Sequence, residues 1–140
     1  MKAPTNLNHK PIISVNDYEK FEPNYPSTTD VRALSIGKAQ YNQNDISLKV
    51  WRHTDQKWSR QSEELPVHRN IDLTLLFVSS LLKYPNSQTS QTSLNEEVTN
   101  EKGLKDIDNY YQNNKKHIDK QLIELKKSIE NLNVIKYANH

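Results

Sequence analysis

Residues that can form a hydrophobic core are scarce in this chain and unevenly distributed along it. A dense apolar run, rich in leucine, occupies residues 71–82, whereas residues 85–103 contain almost no core-forming side chains. Only 34% of the 140 residues are hydrophobic, which is below the usual share for a globular domain. We therefore expect a small core built mainly by residues 1–84. The rest of the chain is expected to bury its apolar side chains by pairing.

Alternation of apolar and polar residues predicts a small antiparallel sheet. The clearest strand is Ile46–Thr54, where the alternation is strict. Shorter strands are predicted at residues 11–15, 38–42 and 57–61, with a two-residue turn at Asp55-Gln56. Residues 31–36 suit either a strand or a short helical turn that ends at Gly37. The expected sheet is a meander of about three strands.

Two helices are predicted after the sheet. The first begins at Ser62 or Pro66 and ends before Pro85, and its apolar residues cover most of its circumference, which is typical of a buried helix. The second extends from residue 104 to about residue 135, with apolar residues every three or four positions and Asn114 within the apolar seam. At 1.5 Å per residue this helix is roughly 48 Å long. We expect it to pair with a second copy or to fold back along the first helix.

These patterns predict an α+β fold: a small antiparallel β-meander packed on a buried helix, plus a long C-terminal amphipathic helix. The expected organisation is a core domain over residues 1–84, a polar linker over 85–103 and an oligomerisation helix over 104–137. Within the linker, Ser93 and Glu96 form a capping-box pattern. A short helix around 94–101 is therefore an alternative to an irregular linker.

Composition excludes several classes of function. The two glycines are far apart, so no glycine-rich phosphate loop can form. The chain has no cysteine, which excludes disulfides and cysteine-based zinc sites, and we expect no metal and no cofactor. A net charge of +2 argues against duplex nucleic acid as a partner. Because no apolar run is long enough for a signal peptide or a membrane span, we expect a cytoplasmic protein.

The functional prediction rests on residues 49–69, which contain both tryptophans and three of the four arginines. If Asp55-Gln56 closes a two-residue hairpin, His53 faces Trp58 across it. Because side chains alternate along a strand, this register places Lys49, Trp51, His53, Trp58, Arg60 and Ser62 on one face. The predicted ligand-binding set, with one arginine added from the start of the first helix, is Lys49, Trp51, His53, Trp58, Arg60 and Arg69.

Two interpretations of this set are open at the level of sequence. In the functional one, the rings stack on a base while the cations hold a phosphate. In the structural one, the tryptophans pack beneath a helix and Arg60 pairs with Glu63 or Glu64. In the functional interpretation the other face of the first hairpin strand joins the core through Ile46, Leu48 and Val50.

The start of the first helix carries a second polar group. His68 and Asp72 are four residues apart, and Arg69 and Asp72 are three apart, so an ion pair that closes the first helical turn is the structural interpretation. The functional alternatives are His68 as a general base, or His68 with Asp72 as a metal pair. Neither alternative has further catalytic or metal-ligating residues at a characteristic spacing. The sequence therefore identifies no catalytic and no metal-binding residue.

Three blocks of the sequence resemble a family of short, uncharacterised bacterial and prophage-type proteins. They are ALSIGKAQYN at 33–42, KVWRH at 49–53 and KWSRQSEELPVHR at 57–69. The similarity covers roughly residues 1–84. The resemblance implies that the hairpin and the start of the helix define the family, and it implies no activity.

The sequence thus favours a binding protein over an enzyme. The leading hypothesis is non-enzymatic binding of a small anionic, nucleotide-like ligand, which in a phage protein would sequester a host immune signal in the host cytoplasm. The alternative is a protein–protein interaction module, an inhibitor or adaptor that docks on a host protein through the same tryptophan and arginine face. A small phosphodiester hydrolase that uses His53 or His68 is the third hypothesis.

Overall fold

A computed structural model describes residues 1–25, 28–60 and 62–137 and confirms the α+β fold. Within these residues an antiparallel sheet of five strands precedes two α-helices. The strands are β1 Lys10–Asn16, β2 Val31–Lys38, β3 Ile46–Thr54, β4 Lys57–Trp58 and β5 Glu64–Pro66. The helices are α1 Val67–Leu81 and α2 Leu104–Tyr137, and short 3₁₀ turns lie at Tyr18–Lys20 and Glu101–Gly103.

The central strand of the sheet is β3. On one side it pairs along most of its length with β2, in a register that places Ala33 opposite Trp51. On its other side, β4 pairs with the end of β3 and β5 pairs with its beginning. Between these two short strands the Val50 N–H donates to the Glu63 carbonyl at 2.8 Å. Both edges of β3 are therefore hydrogen-bonded, as its central position in the sheet requires.

The structure corrects the sequence prediction on either side of β3. Residues 31–36 belong to β2, and the strand predicted at 38–42 is wrong, because β2 ends at Lys38. The backbone of β2 finds partners in both β1 and β3, whereas residues 40 and 41 lie in the bend that follows. The strand predicted at 57–61 is too long, because β4 ends at Trp58 and Arg60 lies in a turn. Gln61, its last predicted residue, lies outside the described residues.

The start of the first helix is also corrected. β5 was not predicted, and it pairs with residues 47–49 of β3, so α1 begins only at Val67. Pro66 is compatible with this short strand because β5 lies at the edge of the sheet, where a missing N–H is tolerated.

The faces of the sheet are the reverse of the sequence expectation. Trp51 is 2% exposed and packs with Ala3 and Ala33. Of the residues expected in the core, Ile46 is 37% exposed, while Leu48 and Val50 line an open hollow of about 340 Å³ on the opposite face. We call this the sheet hollow. Its aliphatic lining consists of Ile13, Val15, Leu34, Ile36, Leu48, Val50 and Leu65.

The first helix is exposed where burial was expected. Its apolar side chains include Ile71 at 60% exposure, with Leu73, Leu75 and Leu76 also exposed. An apolar surface that runs around most of a helix is typical of a buried helix, so the observed exposure departs from the sequence pattern. The chain divides into two compact units, Met1–Leu75 and Leu76–His140, so the division falls within α1 and before residue 84.

In the second unit, a buried ion pair organises much of the segment predicted as a linker. Lys83 Nζ lies 3.0 Å from Glu96 Oε2, and both side chains are about 5% exposed or less. The Glu96 carboxylate also accepts from the Thr92 hydroxyl and from the backbone N–H of Gln91 at 2.8 Å. These bonds, led by that from Thr92 and followed by that from Lys83, lower the pKa of Glu96 to about 2. The helix considered at 94–101 does not form, since Glu96 holds a loop instead.

The long C-terminal helix is confirmed. α2 contains 34 residues and begins directly after Gly103, whose N–H donates to Asn100 Oδ1 at 3.2 Å. In its second half, Leu125, Ile129 and Leu132 are exposed at 43%, 50% and 50% and recur at intervals of four and three. None of the helices in the described part of the chain has the length and apolarity required to cross a membrane.

Gly37 provides a test of the β1–β2 pairing. A Cβ added there would lie 2.0 Å from the Lys10 carbonyl oxygen and 2.8 Å from Pro11 Cα, both of them backbone atoms. We expect Gly37→Ala to lower the free energy of unfolding by about 1–3 kcal/mol, as other over-packed sites do. Urea unfolding measures this change.

The matched control is Gly103→Ala, where the added Cβ would meet only the Asn100 side chain at 3.4 Å and beyond. This variant should unfold within about 1 kcal/mol of the wild type. Equal stability of the two variants would contradict the β1–β2 geometry.

Candidate functional site

The β3–β4 hairpin has the register that the sequence predicts. His53 pairs with Trp58 directly across it. Asp55 and Gln56, which form the turn, have φ values of 49° and 66°. Positive φ at both central positions is the requirement of a type I′ turn, whose twist matches that of a β-hairpin. His53 and Trp58 therefore share the sheet face that also carries Trp51.

A series of buried hydrogen bonds begins at Trp51. Its Nε1–H donates to Ser35 Oγ at 2.9 Å, and Ser35 Oγ lies 3.0 Å from His9 Nε2. His9 Nδ1 lies 2.7 Å from Glu64 Oε1 and 2.9 Å from Ser47 Oγ. Because a carboxylate only accepts, Nδ1 carries the proton, and Nε2 accepts from the Ser35 hydroxyl. One neutral imidazole therefore satisfies the polar groups of this buried series, which we call the Trp51–Glu64 network.

His9 is neutral because it is buried. Loss of solvation lowers the pKa of this fully buried ring below the usual histidine value, the Glu64 carboxylate opposes the shift, and the Lys49 ammonium adds to it. Sequence reasoning missed His9, Ser35 and Glu64. Their contacts join the segment before β1 to β2, β3 and β5, so no local spacing pattern marks them.

Ser35, His9 and Glu64 follow the order of a nucleophilic triad. Ser35, however, is 6% exposed, and its hydroxyl oxygen already accepts a hydrogen bond from Trp51. A nucleophile must reach the atom that it attacks. We therefore assign this group a structural role in fixing Trp51.

Trp58 is the partly exposed aromatic residue above this core. Its ring meets Trp51 at a centroid distance of 5.7 Å and His53 at 5.0 Å, and both contacts are edge-to-face. Two such contacts hold the Trp58 ring in one orientation. Beside it lies a hollow of about 570 Å³, which we call the tryptophan hollow. It is lined by Asn6, Leu7, Asn8, Gln40, Lys49, Trp51, Trp58, Ser59 and Arg60.

The tryptophan hollow combines three kinds of chemistry. The Lys49 ammonium lies 4.5 Å from the centroid of the Trp51 ring, and the Arg60 guanidinium supplies a second cation. The side-chain amides of Asn6, Asn8 and Gln40 supply both donors and acceptors. Small-molecule sites have volumes of roughly 300–1,000 Å³. This hollow has the size and the groups to hold a flat ring that bears an anionic substituent.

The pairing of Arg60 with Glu63 or Glu64 is not formed. Glu63 holds Arg52 through both carboxylate oxygens, at distances between 2.7 and 3.2 Å. Glu64 holds His9. Arg60 takes part in no ion pair with any residue that the structure describes, so its guanidinium can receive an anion from solution.

Arg52, in contrast, has a structural role. Its guanidinium lies between Glu63 and Asp30, with Nη1 2.6 Å from the Asp30 carboxylate. The hydrogen bonds that Arg52 donates to Glu63 and then to Asp30 raise the pKa of Arg52 above the ordinary arginine value. Of the arginines in residues 49–69, only Arg60 therefore lines the tryptophan hollow.

His68 and Arg69 lie elsewhere, exposed in the first turn of α1. The charge of Arg69 acts on the Tyr41 hydroxyl, where it opposes a rise in pKa caused by desolvation and by Asp45. No hydrogen bond or ion pair joins either α1 residue to Asp72 in the part of the chain that the structure describes, so the pair expected from their spacing is absent. The same described residues contain no cluster of three His, Asp or Glu side chains suited to a metal.

Comparison with known proteins gives a family whose function is unknown. Residues 1–99 match a family described as "Family of unknown function (DUF6530)". The matched region extends past residue 84, so it includes the loop that Glu96 holds. No curated protein and no solved structure matches the chain.

The lowered pKa of His9 predicts a pH-dependent stability. The unfolded chain binds a proton at this histidine near pH 6.5, whereas the folded chain resists protonation. The stabilising contribution is therefore complete above about pH 6.5 and is lost as the pH falls below it. We expect the free energy of unfolding to drop between pH 7.5 and 5.5, and to drop less in His9→Gln.

Urea unfolding at the two pH values measures this difference. His68→Gln changes an exposed histidine and should keep the wild-type drop, whereas Glu64→Gln removes the opposing carboxylate and should enlarge it. If His9→Gln loses as much stability as the wild type, His9 is not the responsible group.

Proposed function

The chain belongs to the family of unknown function DUF6530, and from this premise we propose that it is a non-enzymatic binding protein for a small anionic, nucleotide-like ligand. The observation that carries the proposal is the tryptophan hollow. There the oriented, partly exposed Trp58 stands beside Arg60, which has no ion-pair partner among the described residues.

In the proposed complex, the base stacks on Trp58. Stacking of a base on an aromatic side chain contributes about 1–3 kcal/mol. The guanidinium of Arg60 holds the phosphate with two parallel hydrogen bonds, and the Lys49 ammonium adds a second positive charge. Asn8 and Gln40 reach the polar edge of the base. The contacts that orient Trp58 exist before binding, so little conformational entropy is lost when the ligand binds.

The predicted site residues take different parts in this proposal. Trp51 is the buried wall of the hollow, and His53 orients Trp58 through the edge contact. Lys49, Trp58 and Arg60 contact the ligand. Arg69 is left out, because it does not line the hollow.

In its fuller form, the proposal is that a phage or prophage protein of this family sequesters a host nucleotide signal in the host cytoplasm and so blunts an immune response. The fuller form is motivated by two features: the stacking and arginine chemistry of a small chain, and a Lys-, Asn- and Ile-rich composition that suits an AT-rich genome.

The second candidate function is a protein–protein interaction module. Tryptophan and arginine dominate the hot spots of interfaces, and Trp58 and Arg60 would be the hot-spot residues of this one. A separate observation that favours a protein partner is the sheet hollow on the opposite face of the sheet, whose aliphatic lining includes Ile13 at 68% exposure. Nucleotide titration separates the candidates, since an interaction module gains no stability from a nucleotide.

We also propose that the chain forms a homo-oligomer through α2. The proposal is supported by the exposed residues Leu125, Ile129 and Leu132, whose spacing of four and three is that of a coiled-coil seam. A partner helix with the same spacing, such as α2 of a second copy, would bury this stripe.

A thermal-shift screen tests the binding proposal. At a concentration of a mononucleotide 100 times its Kd, the wild type should gain about 2.7 kcal/mol, which raises the melting temperature by several degrees. Trp58→Ala and Arg60→Ala should each lose most of this shift, whereas Arg69→Ala should keep it. The proposal fails if none of the mono-, di- or cyclic nucleotides shifts the wild type.

Light scattering after size-exclusion chromatography tests the oligomer. We expect the wild type to have at least twice the 16.4 kDa mass of one chain. The double variant Leu125→Lys with Ile129→Lys should have the mass of one chain. Glu130→Lys changes charge on the same helix without touching the stripe and should remain associated. A wild-type mass of 16.4 kDa at tens of micromolar protein would overturn self-association.

A further inference from the structure

A second hollow adjoins the tryptophan hollow. It has a volume of about 420 Å³, and we call it the hairpin hollow. Its lining is Thr54, Lys57, Trp58, Ser59 and Arg60. Trp58, Ser59 and Arg60 line the tryptophan hollow as well. Residues 58–60 are therefore a wall that the two hollows share.

The positive charges are distributed over both hollows. Lys49 belongs to the tryptophan hollow, Lys57 to the hairpin hollow, and Arg60 to both. Lys57 pairs with Thr54 next to the type I′ turn, so its side chain lies on the face of the hairpin opposite to that of Trp58, and the two hollows meet across β4, which is the last strand in the sheet order. A guanidinium shared by two hollows, each of which has its own ammonium, suits several phosphates in a row better than one phosphate.

We propose that the ligand spans both hollows and consists of two nucleotide units joined through phosphate. One unit occupies the tryptophan hollow, with its base against Trp58. Arg60 holds the joining phosphate at the shared wall, and the second unit lies in the hairpin hollow beside Lys57. This inference rests on the proposed function, because it extends the same site to a longer ligand.

The volumes support a ligand of this length. The tryptophan hollow, at about 570 Å³, and the hairpin hollow, at about 420 Å³, each lie within the range of small-molecule sites. A mononucleotide has one base and would leave the hairpin hollow without a ring. A polyphosphate chain could place charge near Lys57, and it is the alternative that the experiment must separate.

The experiment compares three probes with the full-length protein by calorimetric titration: AMP, ATP and the linear dinucleotide pApA. We expect pApA to bind at least tenfold more tightly than AMP, because a second base adds contacts. Lys57→Ala should weaken pApA binding about fivefold and AMP binding less than twofold. In the same variant, the slope of log K against log salt for pApA should fall by about 0.7, which corresponds to one lost phosphate contact.

Lys38→Ala is the matched control, because Lys38 is an exposed lysine at the end of β2 that lines neither hollow. It should bind pApA as the wild type does. If ATP binds as tightly as pApA and depends equally on Lys57, the hairpin hollow takes phosphates alone and the dinucleotide inference is overturned.

Different binding results would contradict the two-unit ligand and the proposed function. If AMP binds and depends on Trp58 and Arg60, but pApA binds no more tightly, only the two-unit ligand is wrong. If neither AMP nor pApA binds, the proposed function is wrong as well.

Discussion

The burial of Trp51 is the interaction on which the first compact unit depends. An indole buried away from water needs a partner for its N–H, and Ser35 supplies it. Ser35 in turn donates to His9, whose Nδ1 lies 2.7 Å from a carboxylate oxygen of Glu64. The Trp51–Glu64 network thereby joins β2, β3, β5 and the segment before β1. Replacing the indole by a methyl group in such a place typically costs about 3–5 kcal/mol. It would also leave Ser35 without a donor.

This one interaction decides which face of the sheet is buried. Because Ala3 and Ala33 are small, they leave room for the indole on the face that carries Trp51. The aliphatic face, with Leu48 and Val50, is left open as the sheet hollow. The same choice sets Trp58 at the margin of the core, where one part of its ring contacts Trp51 and another part is exposed. The proposed binding site is therefore a by-product of how the core is built.

Local sequence predicted the elements whose cause is local. The β3–β4 register follows from strict alternation and a two-residue turn, and the long α2 follows from its apolar period. The availability of Arg60 could not be read in this way. It depends on two other contacts: Arg52 pairs with Glu63, and His9 contacts Glu64. His9 and Glu64 are more than fifty residues apart in the sequence. Spacing alone made Glu63 and Glu64 the natural partners of Arg60, and competition in three dimensions assigned them elsewhere.

The sequence by itself determined the α+β class, the central strand with its hairpin, the long C-terminal helix and the exclusion of a glycine-rich phosphate loop. These follow from period, turn chemistry and composition, which act over a few residues. Only the tertiary structure decided that Trp51 is core, that Ile46–Thr54 turns its aliphatic side to an open hollow, and that His9 is a buried neutral base. The physical reason is that alternation defines two faces of a strand, but which face is buried depends on the segments that pack against it.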